Sequence, residues 1–382
     1  MTLRGTNQDV GRPFNRRIVL ETIRLEGPIA RTEIASKIGL TVQTVSTIVR
    51  ELQREGLLVA SRDAPVGRGV PPARLRVNPA GGYAIGIQIT PLEISGALVN
   101  LGGEIVASGR RAAVRPGPDQ AFAIIGELVD DLKSRCADSW LFGVGLAVPG
   151  PFGVESMSFT GSTTLAGWAD VDIRRHLQEV TRLPAFIEID TAAAAMDEQL
   201  YGYGTELEDY YYLFFGHGLG GTMVRRSEVL RGHWGNAGEI GHLPVVPDGE
   251  PCSCGNRGCL ERYVSLEALH RRDVPEEEWV CDISPIFARA IRSIENLFDP
   301  QAVVLGGIAP SRLLARLAAT ATSVGNALGA RPDRTVPRIL VAHGGPNSVL
   351  RGAAALAVNG ALAPHGGKAF SRTHRGHSGE LQ

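Results

Sequence analysis

Apolar side chains recur every three or four positions in three runs between residues 14 and 58. In FNRRIVLETIRLEG, Ile18, Val19, Ile23 and Leu25 fall on one side, and the run stops at Gly27-Pro28. ARTEIASKIGL is a short second helix with Ile34, Ala35 and Ile38 inward, closed by Gly39. TVQTVSTIVRELQREG follows at once, with Thr41 as N-cap, Val45, Ile48, Val49 and Leu52 as the buried stripe, and Gly56 as the stop. Two helices joined by a tight turn around a glycine predict a helix-turn-helix. Strand-like pieces at 57–61 and 74–77 bracket a Gly/Pro/Arg loop, which adds a β-wing.

From Tyr83 the pattern changes. YAIGIQITPLEISGALVNLGGEIVASGRR reads as two or three strands with a hairpin at Gly102-Gly103, and PDQAFAIIGELVDDLKSRC as an amphipathic helix. LFGVGLAVPGPFG is a buried strand entering a Gly/Pro turn; LPAFIEIDTAAAAMDEQLYGYG is a strand running into an Ala-rich helix. YYYLFFGHGLGGTMVRRSEVLRG is strand, Gly-rich turn and strand, and DPQAVVLGGIAPSRLLARLAATAT is strand, turn and helix. Strands alternating with helices mean α/β layers. Two similar halves, each opening on strand–turn–strand, suggest an internally duplicated, two-lobed body. The expected divisions are a DNA-binding head with wing at 1–80, a first α/β lobe at 81–190 joined by a C-terminal helix at about 348–363, a second α/β lobe at 191–347, and a Gly/His/Ser/Arg-rich disordered tail at 364–382.

Charge sharpens the first of these. Residues 1–78 hold 13 of the 39 Lys and Arg but 7 of the 40 Asp and Glu, a net +6 set against −7 for the remainder. A basic module on an acidic body points to a polyanion partner for the head alone, and with the helix-turn-helix pattern that partner is expected to be double-stranded DNA. The outward face of the third helix carries Gln43, Thr44, Thr47 and Arg50 near its N-terminal half, where a recognition helix reads base edges. Arg68, in GRGVPP of the wing, is expected to lie along a minor groove. No run of eighteen apolar residues and no secretory signal are present, so a cytoplasmic protein is expected.

In that reducing compartment, close cysteines read as metal or redox chemistry rather than as a disulfide frame. Three of the five cysteines, Cys252, Cys254 and Cys259, form CxCx4C, with Gly255 and Gly258 permitting tight turns. Three thiolates need a fourth ligand for tetrahedral zinc. Cys136 and Cys281 stand apart and are expected to be small buried hydrophobes.

The helix-turn-helix together with AVPGPFG, EIDTAAAA, GHGLGGT, GNAGEIGH and CSCGNRGCLE resembles the ROK family (repressors, open reading frames and sugar kinases) over roughly residues 14–362. The resemblance implies an actin-like (RNase H-like) sugar-kinase fold, and sugar-responsive transcription factors among members that carry the N-terminal module. It implies further that Asp190 sits at the kinase base position, that Glu239, His242 and Glu261 contact sugar, and that His242 completes a Cys3His zinc site. Two departures stand out. The family's phosphate turn DxGGT is replaced by GIQITPLEIS: Gln88 stands for the acid, and Thr90, Pro91 and Leu92 for residues whose amides approach ATP. Ile189 stands where the family has an asparagine. The expectation is a zinc-holding, homodimeric or homotetrameric repressor of operator DNA with a carbohydrate effector and no enzymatic activity. The alternative is an ATP-dependent sugar kinase with a regulatory DNA-binding head.

Overall fold

The computed structural model describes residues 12–61, 73–136, 140–150, 167–168, 171–226, 228–233, 235–323 and 334–362. The wing arginine Arg68 and the tail 364–382 lie outside the described residues.

The head comprises α1 (Arg12–Glu26), β1 (Ile29–Ala30), α2 (Arg31–Ile38), α3 (Val42–Arg54), β2 (Leu58–Ser61) and β3 (Arg74–Val77). Gly39 takes a left-handed φ of 70°, which lets its N–H return to the Ala35 carbonyl and end α2. Two residues later the Thr41 hydroxyl accepts from the Thr44 N–H at 3.1 Å and opens α3. Val45, Ile48, Val49 and Leu52 are buried, as the periodicity predicts. β2 and β3 pair antiparallel, Leu58 opposite Val77, and the two-residue β1 adds to β3. So short a strand has no periodicity to betray it.

The body contains β4 (Tyr83–Ile89), β5 (Glu93–Asn100), β6 (Ile105–Ala112), α4 (Pro118–Lys133), β7 (Leu141–Val148), α5 (Ile173–Thr181), β8 (Ala185–Ile189) and α6 (Asp190–Tyr201). It continues with β9 (Asp209–Phe215), β10 (Leu219–Arg225), β11 (Glu228–Val229), α7 (Leu266–Arg272), α8 (Glu276–Phe298), β12 (Ala302–Gly307), α9 (Ser311–Ser323), β13 (Ile339–Val341) and α10 (Ser348–Leu362). The two sheets run β6-β5-β4-β7-β8 and β11-β10-β9-β12-β13. Each is an antiparallel meander continued by two parallel strands. The shared order is the structural form of the duplication expected from sequence, and the architecture is the actin-like one.

Helix α10 is pressed into the first sheet backbone to backbone. A Cβ on Gly86 would lie 1.9 Å from the Leu350 carbonyl, and one on Gly145 1.8 Å from that of Ala353. On its other side, a Cβ on Gly352 would lie 1.7 Å from the Ala193 carbonyl of α6. The head packs on the same structure: one apolar cluster runs from Ile18, Leu20 and Leu75 to Ala84, Leu101, Leu350 and Val358.

Cys136 is buried, but Cys281 is exposed, against expectation. On α8 the buried stripe runs through Trp279, Val280, Ile283 and Phe287, and position 281 turns away from it.

Candidate functional site

The parallel strands β4, β7, β8, β9 and β12 all deliver their carboxyl ends to one cleft, the place where open α/β sheets bind ligands. The cleft is open to solvent, and the space within it and across its mouth amounts to about 670 Å³. Gln88 and Thr90 come from the end of β4, Pro149 and Gly150 follow β7, and Ile308 follows β12. Ile189, Asp190 and Thr191 line it at the β8–α6 junction, and His217 to Gly220 from the β9–β10 turn. Glu239, His242 and Glu261 close it from two short 3-10 segments, 240–242 and 260–262, and their flanks.

Asp190 is the first residue of α6. Its carboxylate accepts from the Thr191 N–H at 2.7 Å and the Thr191 hydroxyl at 3.3 Å. Burial nevertheless pushes its pKa up to about 6. Glu239 is pushed up to about 7, first by burial and then by the charges of Asp190 and Glu261. Burial lowers the pKa of His217. The lining therefore holds three carboxylates and two imidazoles, with no Lys or Arg among the described residues. Such a surface suits hydroxyl groups, which can donate to carboxylates and accept from N–H, and repels anions.

The turn after β4 lacks free amides. The Thr90 N–H donates to the Glu93 carbonyl at 2.9 Å, and Pro91 has no N–H. The N–H groups of Leu92 and Glu93 both donate to the Thr90 hydroxyl, at 3.3 and 3.0 Å. Leu92 projects outward, half exposed. Nothing in this turn resembles the row of unpaired amides that cradles a nucleotide phosphate.

Beside the cleft, His242, Cys252, Cys254 and Cys259 bring one donor atom each to within 4.8 Å of one another. His242 Nδ1 lies 3.5 Å from Cys252 Sγ, and Cys254 Sγ 3.6 Å from Cys259 Sγ. The loop is fixed by isolated bridges pairing Pro244 with Cys259 and Pro251 with Arg257. Gly258, at φ 70°, leaves room that a Cβ would fill, 1.8 Å from the Val246 carbonyl. The other ring nitrogen of His242, Nε2, faces Glu239 Oε2 at 4.0 Å. One imidazole thus touches both the thiol cage and the cleft, and Glu261 Oε1 lies 3.5 Å from its Nδ1.

On the head, Gln43, Thr47 and Arg50 are exposed along α3, while Thr44 is half-buried with its hydroxyl 2.8 Å from that of Thr41. Arg50 is held along the helix by bonds to the Ser46 carbonyl at 3.1 Å and the Thr47 hydroxyl at 3.4 Å. Val42, in the first turn, is an exposed apolar side chain that the sequence reading passed over. His217 and Ile308 were missed likewise; their one signal is adjacency to glycine turns, and only the tertiary fold brings them to the cleft.

A winged helix-turn-helix carried on an actin-like body defines a class: a DNA-binding module joined to the sugar-kinase fold. The chain belongs to the ROK family, whose sequence profile matches residues 84–288. A winged helix-turn-helix DNA-binding profile matches residues 15–59. The xylose repressor of Bacillus spizizenii is 29% identical over 321 residues, covering 78% of this chain and 83% of its own length. A solved ROK family transcriptional regulator, homolog of the E. coli MLC protein, shares the fold with a TM-score of 0.69 at 22% identity, over 93% of this chain and 97% of its own. A ROK family glucokinase from Streptomyces griseus, solved with glucose and AMPPNP, aligns with a TM-score of 0.58 at 25% identity, over 72% of this chain and 99% of its own.

Proposed function

We propose that the chain is a cytoplasmic transcriptional repressor that binds operator DNA through α3 and the wing, and that a sugar bound in the cleft alters its operator affinity without being phosphorylated. The observation that carries the non-enzymatic part is the turn Thr90–Glu93. Its N–H groups are consumed internally or absent, so it offers ATP no phosphate cradle. Asp190, at the position of a kinase base, then serves as a hydroxyl acceptor alongside Glu239, His242 and Glu261. The acidic lining favours a neutral polyol over a sugar phosphate. The relative's name makes D-xylose the first probe.

Gln43, Thr44, Thr47 and Arg50 contact the DNA from the N-terminal half of the recognition helix, which Thr41 caps, and Val42 meets a thymine methyl. A homodimer or homotetramer supplies paired heads for a two-fold operator. Zinc fits the Cys3His cluster: ligands at about 2.3 Å in a tetrahedron stand about 3.8 Å apart, against 3.5 and 3.6 Å between neighbouring donors here. Bound there, the metal would hold the Glu239–Glu261 wall of the cleft in place, with His242 oriented by Glu239 from the other side.

The test is a mobility-shift titration with duplex DNA from upstream of the chain's own coding sequence, at two salt concentrations, with and without D-xylose. Salt-sensitive, sequence-dependent binding that responds to sugar supports the reading, and Arg50→Ala should weaken binding by about tenfold or more with unchanged melting. Absence of sequence-dependent retention refutes it. Turnover of a sugar with Mg-ATP that vanishes in Asp190→Ala would establish the kinase alternative instead.

A further inference from the structure

We propose that helix α6 couples the cleft to the DNA-binding head, with Tyr201 and Arg24 as the contact through which it acts; the inference rests on the effector reading above. The helix begins at Asp190, which lines the cleft, and ends at Tyr201, which touches the head. Its 12 residues span about 18 Å at a rise of about 1.5 Å each.

At the cleft end, Thr191 abuts the second sheet: a Cβ on Gly220 would lie 2.5 Å from its hydroxyl oxygen. Every residue from Thr191 to Leu200 is buried. A helix packed on all sides has no slack in which to bend, so displacement at one end is carried to the other. Midway, Asp197 is gripped by Arg351 of α10 through two bonds of 2.7 Å. Glu198 accepts from the backbone N–H groups of Tyr203 and His343, at 2.9 and 3.0 Å. These contacts tie α6 to α10 and to the segment that follows β13.

At the far end, the Tyr201 ring fills the space above the β5–β6 turn, where a Cβ on Gly103 would lie 2.4 Å from it. The guanidinium carbons of Arg24 and Arg351 stand 5.2 and 5.9 Å from the ring centre. Arg24 belongs to α1, and it donates to the Tyr201 hydroxyl and to Asn359 Oδ1 of α10 at 3.3 Å. Around a small cavity in the nearby seam Leu20 and Val77 meet Leu101 and Val358, and the polar side chains that also line it, Arg17 and Glu21, pair with each other within α1 at 3.7 Å. Apolar contact is non-directional and permits sliding, whereas the Arg24 bonds have direction. Arg24 Nε is buried without a partner, so the joint leaves a donor that a second arrangement of head and body can satisfy. A ligand that draws Asp190 and the β9–β10 turn together shifts α6, moves the Tyr201 ring, and re-aims α1.

The experiment uses the full-length chain, D-xylose and upstream DNA. In the unmodified chain xylose changes the operator Kd by about tenfold, and by linkage operator DNA changes the xylose Kd by the same factor. Tyr201→Phe keeps the ring and removes the hydroxyl; Arg24→Met keeps the stem and removes the charge. Both are expected to leave the DNA-free xylose Kd within about twofold and to shrink the xylose effect on operator Kd below about twofold. A merely structural contact would instead lower melting and leave the ratio intact, and a full tenfold response in both variants overturns the proposal. A second readout needs no effector. Asp190→Asn should change amide exchange in residues 18–26 of α1, and Tyr201→Phe should abolish that change; changes confined to the cleft overturn the proposal. If the unmodified chain ignores xylose and other sugars, the effector reading fails on its own, and the exchange comparison still decides whether α6 joins the two sites.

Discussion

Replacing Asp197 by alanine is the most discriminating test of how this body is held together. The Asp197 side chain is fully buried, and Arg351 is about one quarter exposed. Two parallel bonds of 2.7 Å join them and tie α6 to α10. In Asp197→Ala the guanidinium loses both carboxylate bonds and keeps one bond to the Gly344 carbonyl, at 3.2 Å, its place over the Tyr201 ring and the nearby charge of Glu198. Breaking one side of such a pair costs about 3–5 kcal/mol, because the stranded charge stays desolvated. For a cooperative unit of about 150–250 residues that is a fall in Tm of about 6–20 °C. Urea unfolding followed by circular dichroism at pH 7.5 should show a lower midpoint with an unchanged m-value. The control is the double variant Asp197→Leu with Arg351→Met, which removes both charges and fills the space. It should return to within about 2 kcal/mol of the parent. A single variant costing less than about 1 kcal/mol, or a double variant as unstable as the single one, refutes the argument.

Gly145→Ala should be among the most damaging single substitutions, at about 4 kcal/mol or more, since its Cβ would stand 1.8 Å from a helix carbonyl that cannot move aside. Gly126→Ala, inside α4 with open space around it, should instead stabilise by about 0.5–1 kcal/mol; equal urea midpoints for the two would sink the packing account. Asp190 supplies a pH dependence. Its folded pKa of about 6 lies above its ordinary value of 3.8, so the folded state binds the extra proton between those values. The resulting stabilisation is complete below about pH 4 and is lost as pH rises through about 6. The urea midpoint of the parent, measured against Asp190→Asn, should therefore rise between pH 7.5 and 5, and the opposite slope would count against burial as the cause. For the thiol cluster, mass spectrometry should find about one zinc per chain, and Cys259→Ser should abolish it and lower Tm; a chain that takes up no zinc and melts identically in chelator has no such site.

The sequence alone carried much of this protein. Helices of the head follow from a 3.6-residue period with Gly39, Thr41 and Gly56 as punctuation, because their signals are local. CxCx4C is also local: three thiols in one loop need no fold to bring them close. Resemblance to a known family extended that reading to Asp190, Glu239, His242 and Glu261, and Thr90-Pro91-Leu92 already spoke against a phosphate cradle. Tertiary structure decided what depends on distant segments. It placed His217 and Ile308 in the cleft, because strands far apart in the chain end at one edge. It turned Cys281 outward, since which face of a long helix is buried depends on its neighbours. It showed that the Leu92 and Glu93 amides of the Thr90 turn are spent on the Thr90 side chain, a matter of rotamer and turn geometry. Above all, it set Tyr201 against Arg24, residues 177 positions apart whose types announce nothing. Periodicity reports which face of an element is apolar; which other element meets that face is a property of the assembled chain.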